Sequence, residues 1–230
     1  MISRLLSIFV SLIALSIPIH LEAETEDAQF WNQYLAVGKI APTSSPNSLL
    51  FLEFQPRVGG DFESLTLFIA RGALGYQLTP NWSIWQGYGW VPVYSDTDGR
   101  RDEHRIFQQL LGVHKTEELT FVNRTRFEQR LLETPNDTSY RFRHLFRVNY
   151  QPASFGRFYL GAYDELFMNL NSVDSPALKS GIDQNRLFLG FGYNISKEIN
   201  AELGYIHNVV RNQVRDRTNH VSFLGLRYNW

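Results

Sequence analysis

The chain contains no cysteine, so neither a disulfide framework nor thiol chemistry is open to it. Lysine is nearly as scarce, since the 22 basic residues comprise four lysines and 18 arginines. A solvated surface uses lysine freely, whereas arginine is favoured where a cation is partly buried and hydrogen-bonded on several sides. Charge of one sign is also lacking. A net charge of −1 excludes the strong basic field that a dedicated nucleic-acid binder needs. Long apolar runs are confined to the first twenty or so residues, which excludes a helical membrane protein. No paired metal-ligand spacing occurs among the histidines, no phosphate-cradling loop is present, and no cofactor is expected.

What is present begins with an export signal. Arg4 precedes the apolar stretch "LLSIFVSLIALSIPI", and "LEA" before Glu24 ends in a small residue suited to cleavage. That core is about 15 residues, short of the roughly 20 a spanning helix needs. Residues 1–23 are therefore expected to be a cleaved signal peptide and 24–230 one β-barrel domain of about 207 residues.

Strand-like segments follow without helical period near 28–40, 47–58, 63–78, 82–94, 102–114, 118–132, 139–151, 157–170, 183–195, 199–211 and 219–230. Tight connections ("LTPN" at 78–81, "HKTEE" at 114–118, "QPASFG" at 151–156, "SKE" at 196–198) alternate with longer polar ones. The latter are "SDTDGRR" at 95–101, "TPNDTS" at 134–139, "SVDSPALKSG" at 172–181 and "RNQVRDRTN" at 211–219. Short periplasmic turns and longer external loops are the habit of outer-membrane barrels. The pattern thus predicts an antiparallel transmembrane barrel in a bacterial outer membrane, with Trp230 at the periplasmic side. A closed antiparallel barrel takes an even number of strands. The eleven segments are accordingly expected to resolve into twelve, or into ten if 28–40 is not part of the wall.

Side-chain parity explains the arginines. In "FVNRTRFEQRLL", Arg124, Arg126, Glu128 and Arg130 share one face of a strand, and in "YRFRHLFRVNY" so do Arg141, Arg143 and Arg147. An arginine against mid-bilayer hydrocarbon costs about 2–4 kcal/mol, so this face must line the lumen. Glu53, Arg57, Arg71, Arg105, Glu165, Arg186, Glu202 and Arg227 take inward positions on other strands, with Gly190, Gly192, Gly204 and Gly225 making room for them. A simple hairpin register sets Glu128 opposite Arg143 and Arg130 opposite Arg141. Guanidinium groups match carboxylate, phosphate and sulfate geometry. The lumen is therefore expected to be a narrow passive channel for small anionic solutes, or a solid Arg–Glu network with a purely structural role.

On the outward face, Tyr150, Tyr193, Tyr228, Trp230 and Trp82 lie beside the short turns, as an interfacial aromatic girdle would. His220 and Ser222, two apart on the last strand, share that face. Outer-membrane phospholipases and lipid A deacylases are similar in placing a His-x-Ser pair there, with imidazole as base and hydroxyl as nucleophile. A lipid-modifying hydrolase is the alternative function, although no third member is identifiable.

The tail "NHVSFLGLRYNW" alternates in facing to the last residue, and its Gly225, Tyr228 and Trp230 resemble the terminal recognition strand of outer-membrane proteins. That resemblance implies the barrel-assembly machinery and outer-membrane lipid as partners. With "QFWNQYLAVGKI", "LEFQPR", "ALGYQLTPNWSIWQGYGW" and "RFRHLFRVNY", the chain resembles an uncharacterised family of bacterial outer-membrane barrels, domain of unknown function 2490, over about residues 28–230. The resemblance implies location and fold, and no activity.

Overall fold

A computed structural model describes residues 25–41, 43–95, 99–133, 136–174, 178–211 and 216–230. The expected signal peptide, 1–23, lies outside the described residues. The described chain forms eleven strands: β1 (Thr25–Ala41), β2 (Ser45–Gly59), β3 (Ser64–Gln77), β4 (Trp82–Ser95), β5 (Gly99–Lys115), β6 (Leu119–Leu132), β7 (Asp137–Tyr150), β8 (Phe158–Asn169), β9 (Gly181–Asn194), β10 (Ile199–Val210) and β11 (Arg217–Asn229). Each pairs antiparallel with its neighbours in sequence, and β1 closes the barrel on β11.

The alternation of side chains makes these segments strands. In β4, "WSIWQGYGWVPVYS", exposed and buried positions alternate from Trp82 to Gly89, so one face can meet an apolar exterior while the other packs inside. Pro56 lies next to the irregularity at Arg57/Val58 in the β2–β3 pairing, one of the places a strand tolerates proline.

The expected count of twelve or ten is corrected to eleven. Residues 28–40 do belong to the wall, within β1, and no further strand is needed. An odd number leaves the first and last strands running the same way, so closure needs one parallel pair. The β1–β11 seam supplies it, in unbroken register from Thr25↔Arg217 to Val37↔Asn229. A parallel ladder gives up only a little stability per residue relative to an antiparallel one.

The two rims also differ from expectation. One rim carries the connections at 42–44, 78–81, 116–118, 151–157 and 195–198, and is called the turn rim below. The other, the loop rim, carries 60–63, 96–98, 133–136, 170–180 and 211–216. Three of the four expected long loops are shorter, because the strands run on into them. Ser95 still pairs Gly99, Leu132 still pairs Asp137, and β11 begins at Arg217. Ladder hydrogen bonds need no apolar side chains, so polar residues that read as loop extend the hairpins instead. The expected short connection at 151–156 in turn contains a single 3-10 turn, Ala153–Phe155.

Two apolar clusters fill parts of the interior. Trp31, Phe188, Ile206, Val221 and Phe223 pack under the seam, and Leu49, Ala73, Trp85 and Phe107 pack under β2–β5. Between them lies the polar core.

Candidate functional site

Facing inward are Arg57, Arg71, Arg105, Arg124, Arg126, Arg130, Arg141, Arg143, Arg147, Arg186 and Arg227, with Glu53, Glu103, Glu128, Glu165 and Glu202. Eleven arginines thus meet five glutamates, and the interior is cationic even after Asp27 and Asp183 are added toward the loop rim. Burial is deepest at the waist, where Arg126 is 1% exposed and Glu128 0%.

The glutamates are shared. Glu128 accepts from Arg141 Nε and Nη2 at 3.0 and 2.6 Å and from Arg143 Nη1 at 2.7 Å, with Arg126 Nη1 at 3.6 Å. Arg143 also chelates Glu165 Oε1 through Nε and Nη2, at 3.0 and 2.6 Å, and Arg124 donates to the same oxygen at 2.6 Å. Glu103 is forked by Arg105 and Arg130, Glu53 pairs with Arg71 at 2.8 Å, and Glu202 pairs with Arg147. Charge-assisted fork geometry of this kind compensates part of the cost of taking the ions out of water.

Compensation is incomplete. Arg57 Nε, Arg71 Nε and Nη1, Arg126 Nη1 and Arg130 Nη1 are buried donors with no hydrogen-bond partner among the described residues. Aromatic rings take up some of the remaining charge: Arg126 lies 4.3 Å over Phe107, and Arg143 and Arg186 each lie 4.4 Å over Phe167. Sequence reasoning missed these platforms and Glu103. The signal was available, since Phe107 and Glu103 share the inward parity of Arg105 within β5.

The expected inward set is placed as follows. Arg126, Glu128, Arg130, Arg141, Arg143, Arg186 and Glu202 are buried, while Arg124 and Arg147 are half-buried. Arg227 keeps the inward parity but is exposed at the turn rim. The expected hairpin register is corrected by two residues: Glu128 stands opposite Arg141, Arg126 opposite Arg143 and Arg130 opposite Ser139. The hairpin closes at 133–136, earlier than a turn centred in 134–139, and a slip of two preserves facing while changing partners. Glu128 still reaches Arg143, diagonally.

Glycine's part is also corrected. Gly190 and Gly204 are direct register partners, and a Cβ at either would stand 2.5 or 2.4 Å from the Phe188 ring. They make room for an aromatic ring rather than for arginine.

His220 and Ser222 do face outward, on β11. His220 Nδ1 is 2.6 Å from the Tyr205 hydroxyl, and its Nε2 is 4.0 Å from Glu26 Oε2. Nδ1 thus has a partner other than Ser222, which is exposed and stands opposite Tyr205 in register, while the separation of Nε2 from Glu26 is too long for a hydrogen bond.

The rest of the outward face is largely apolar, with Leu74, Leu189, Phe191 and Leu203 each more than 60% exposed. Its polar members bond laterally: Gln108 donates to Gln86 at 2.9 Å, Gln129 to Gln108 at 3.3 Å, and Asn185 to Asp164 at 3.1 Å. Such mutual satisfaction lowers the cost of an apolar surrounding. Of the expected girdle, Trp82, Tyr193, Tyr228 and Trp230 are exposed beside the turn rim, and Tyr150 is half-buried. At the seam, Trp230 stacks on Tyr228, and its Nε1 donates to Lys39 O at 3.1 Å.

Fold and interior together define a closed, all-β barrel with an arginine-rich core. Residues 28–219 match the family described as Protein of unknown function (DUF2490), and the chain belongs to it. An uncharacterised protein of Methylorubrum extorquens is 29% identical over 190 residues, which cover 82% of this chain and 81% of the relative. Among solved structures, the NanC porin is similar at 12% identity and TM-score 0.47, over 83% of this chain and 94% of that one. OmpT of Vibrio cholerae is similar at 12% identity and TM-score 0.41, over 71% of this chain and 55% of that one.

Proposed function

We propose that the protein is an outer-membrane barrel whose interior is a narrow path for small anionic solutes, held shut at its waist by Arg–Glu pairs. The observation that carries this reading is the charge imbalance inside. A set of eleven arginines facing five glutamates, several with orphaned buried donors, attracts anions and repels cations. The exposed apolar band supports the membrane setting, because so much contiguous apolar surface has no place in water. Trp230 and Tyr228 support handling by the barrel-assembly machinery.

The full burial of Arg126 and Glu128 favours a waist that opens only when ion pairs rearrange. Anions would then pass singly and slowly. Catalysis by His220 and Ser222 is the weaker reading, because the imidazole Nδ1 is engaged by the Tyr205 hydroxyl rather than by Ser222.

Uptake into proteoliposomes tests the proposal. Inorganic phosphate and a small dicarboxylate should enter severalfold faster than a neutral solute of the same size, and the Arg126→Ala/Arg143→Ala double variant should lose that preference. Equal exclusion of all solutes, under conditions where a control porin passes them, would make the barrel a structural plug.

A further inference from the structure

Arg57 differs from the other buried arginines. Those others each face a carboxylate, the longest separation being 3.7 Å from Arg186 Nη1 to Glu165 Oε2. Arg57, 8% exposed, has no carboxylate partner among the described residues. Its Nη2 donates to the neutral Gln55 Oε1 at 2.7 Å, its Cζ lies 3.5 Å over the Trp31 ring, and its Nε is buried without a partner. Arg186 shares that ring, with Cζ 4.9 Å from its centroid, and donates from Nε to Asn208 Oδ1 at 3.2 Å. The glutamate nearest Arg186 is shared with Arg124 and Arg143, which bond its other oxygen, Oε1.

Two guanidinium groups therefore converge on one buried indole, ringed by neutral amides. Like charges so placed repel, and an indole face offsets only part of that repulsion. The missing component is a negative charge. Trp31, Arg57 and Arg186 all lie in the loop-rim half of their strands, as Arg126 and Glu128 do in β6.

We infer that Arg57 and Arg186, clamped against Trp31, form a binding site for one oxyanion group, a carboxylate, phosphate or sulfate. This rests on reading the lumen as an anion path, and it makes the pair a docking point on that path. Arg57 Nε offers the free donor, Arg186 the second cation, and Gln55 and Asn208 the neutral surround that discriminates against cations without satisfying the charge internally.

The test uses the full barrel folded in detergent, with inorganic phosphate as probe and sodium chloride matching the ionic strength. An anion that binds only the folded state raises the unfolding midpoint saturably. Phosphate should do so for the wild-type protein. Gln55→Glu, which is nearly isosteric, places a carboxylate against Arg57; it should raise the midpoint without phosphate and abolish the phosphate dependence. Arg57→Gln should abolish the dependence without that rise. Should Arg57→Gln fail to fold, Gln55→Glu alone decides. Absence of a saturable rise in the wild type, or an undiminished one in Gln55→Glu, overturns the site. Anion-selective current without phosphate stabilisation removes the site and leaves the path. Stabilisation in a barrel that passes no anion does the reverse.

Discussion

Glu128 and Arg141 stand directly opposite each other across the β6–β7 hairpin, joined through Nε and Nη2 at 3.0 and 2.6 Å. Around this pair the waist of the barrel is organised, since the same carboxylate holds Arg143 and faces Arg126. Removing one charge from a buried cluster strands its partners, at a cost of about 3–5 kcal/mol. Glu128→Gln should therefore lower stability by that amount in urea unfolding from lipid vesicles. A loss no larger than that of an exposed surface change would mean that water, not Glu128, solvates these arginines.

The parallel seam is open to covalent test because the chain has no cysteine of its own. Tyr34 and Leu226 are register partners across β1 and β11, and both side chains are exposed. Neighbouring strands stand about 4.8 Å apart, within disulfide reach. Tyr34→Cys with Leu226→Cys should bridge on mild oxidation, giving a species of faster mobility in denaturing gels. If Tyr34→Cys instead bridges better with a cysteine two residues away, at Leu224 or Tyr228, the seam is out of register.

Trp230 leans on the backbone of β1, where a Cβ on Gly38 would stand 2.2 Å from its ring. Gly38→Val should displace the indole and reduce the folded, heat-modifiable fraction recovered from cells, as should Trp230→Ser. Gly72→Ala meets nothing closer than 3.7 Å and should fold normally. Normal recovery of both seam variants would mean that the contact between Trp230 and β1 closes nothing.

The outward histidine yields a negative expectation. With His220 Nδ1 held by the Tyr205 hydroxyl, purified barrel should release no fatty acid from phospholipid or lipid A above a blank. Hydrolysis that disappears in Ser222→Ala would establish the His-x-Ser pair as catalytic.

Parity was legible in the sequence because it needs only the period of two in an extended chain. Parity alone puts Arg126, Glu128, Arg143 and Glu202 inside, without reference to their partners. Partners were not legible. A slip of two residues between β6 and β7 leaves every side chain on its proper face, so Glu128 could be read against Arg143 although Arg141 stands opposite. Strand number was misjudged because the even-number rule assumes antiparallel closure throughout. The residues of β1 hold nothing that announces a parallel partner. Trp31 read as an aromatic family marker; its place beneath Arg57 and Arg186 depends on β2, β9 and β1 meeting inside a closed barrel.

The most direct measurement is the reversal potential of the wild-type protein in a planar bilayer under a potassium chloride gradient. Arginine excess inside predicts a potential of the sign set by chloride, shifted toward zero in Arg126→Ala/Arg143→Ala. A cation-selective potential, or a silent membrane where a control porin conducts, would contradict the anion path.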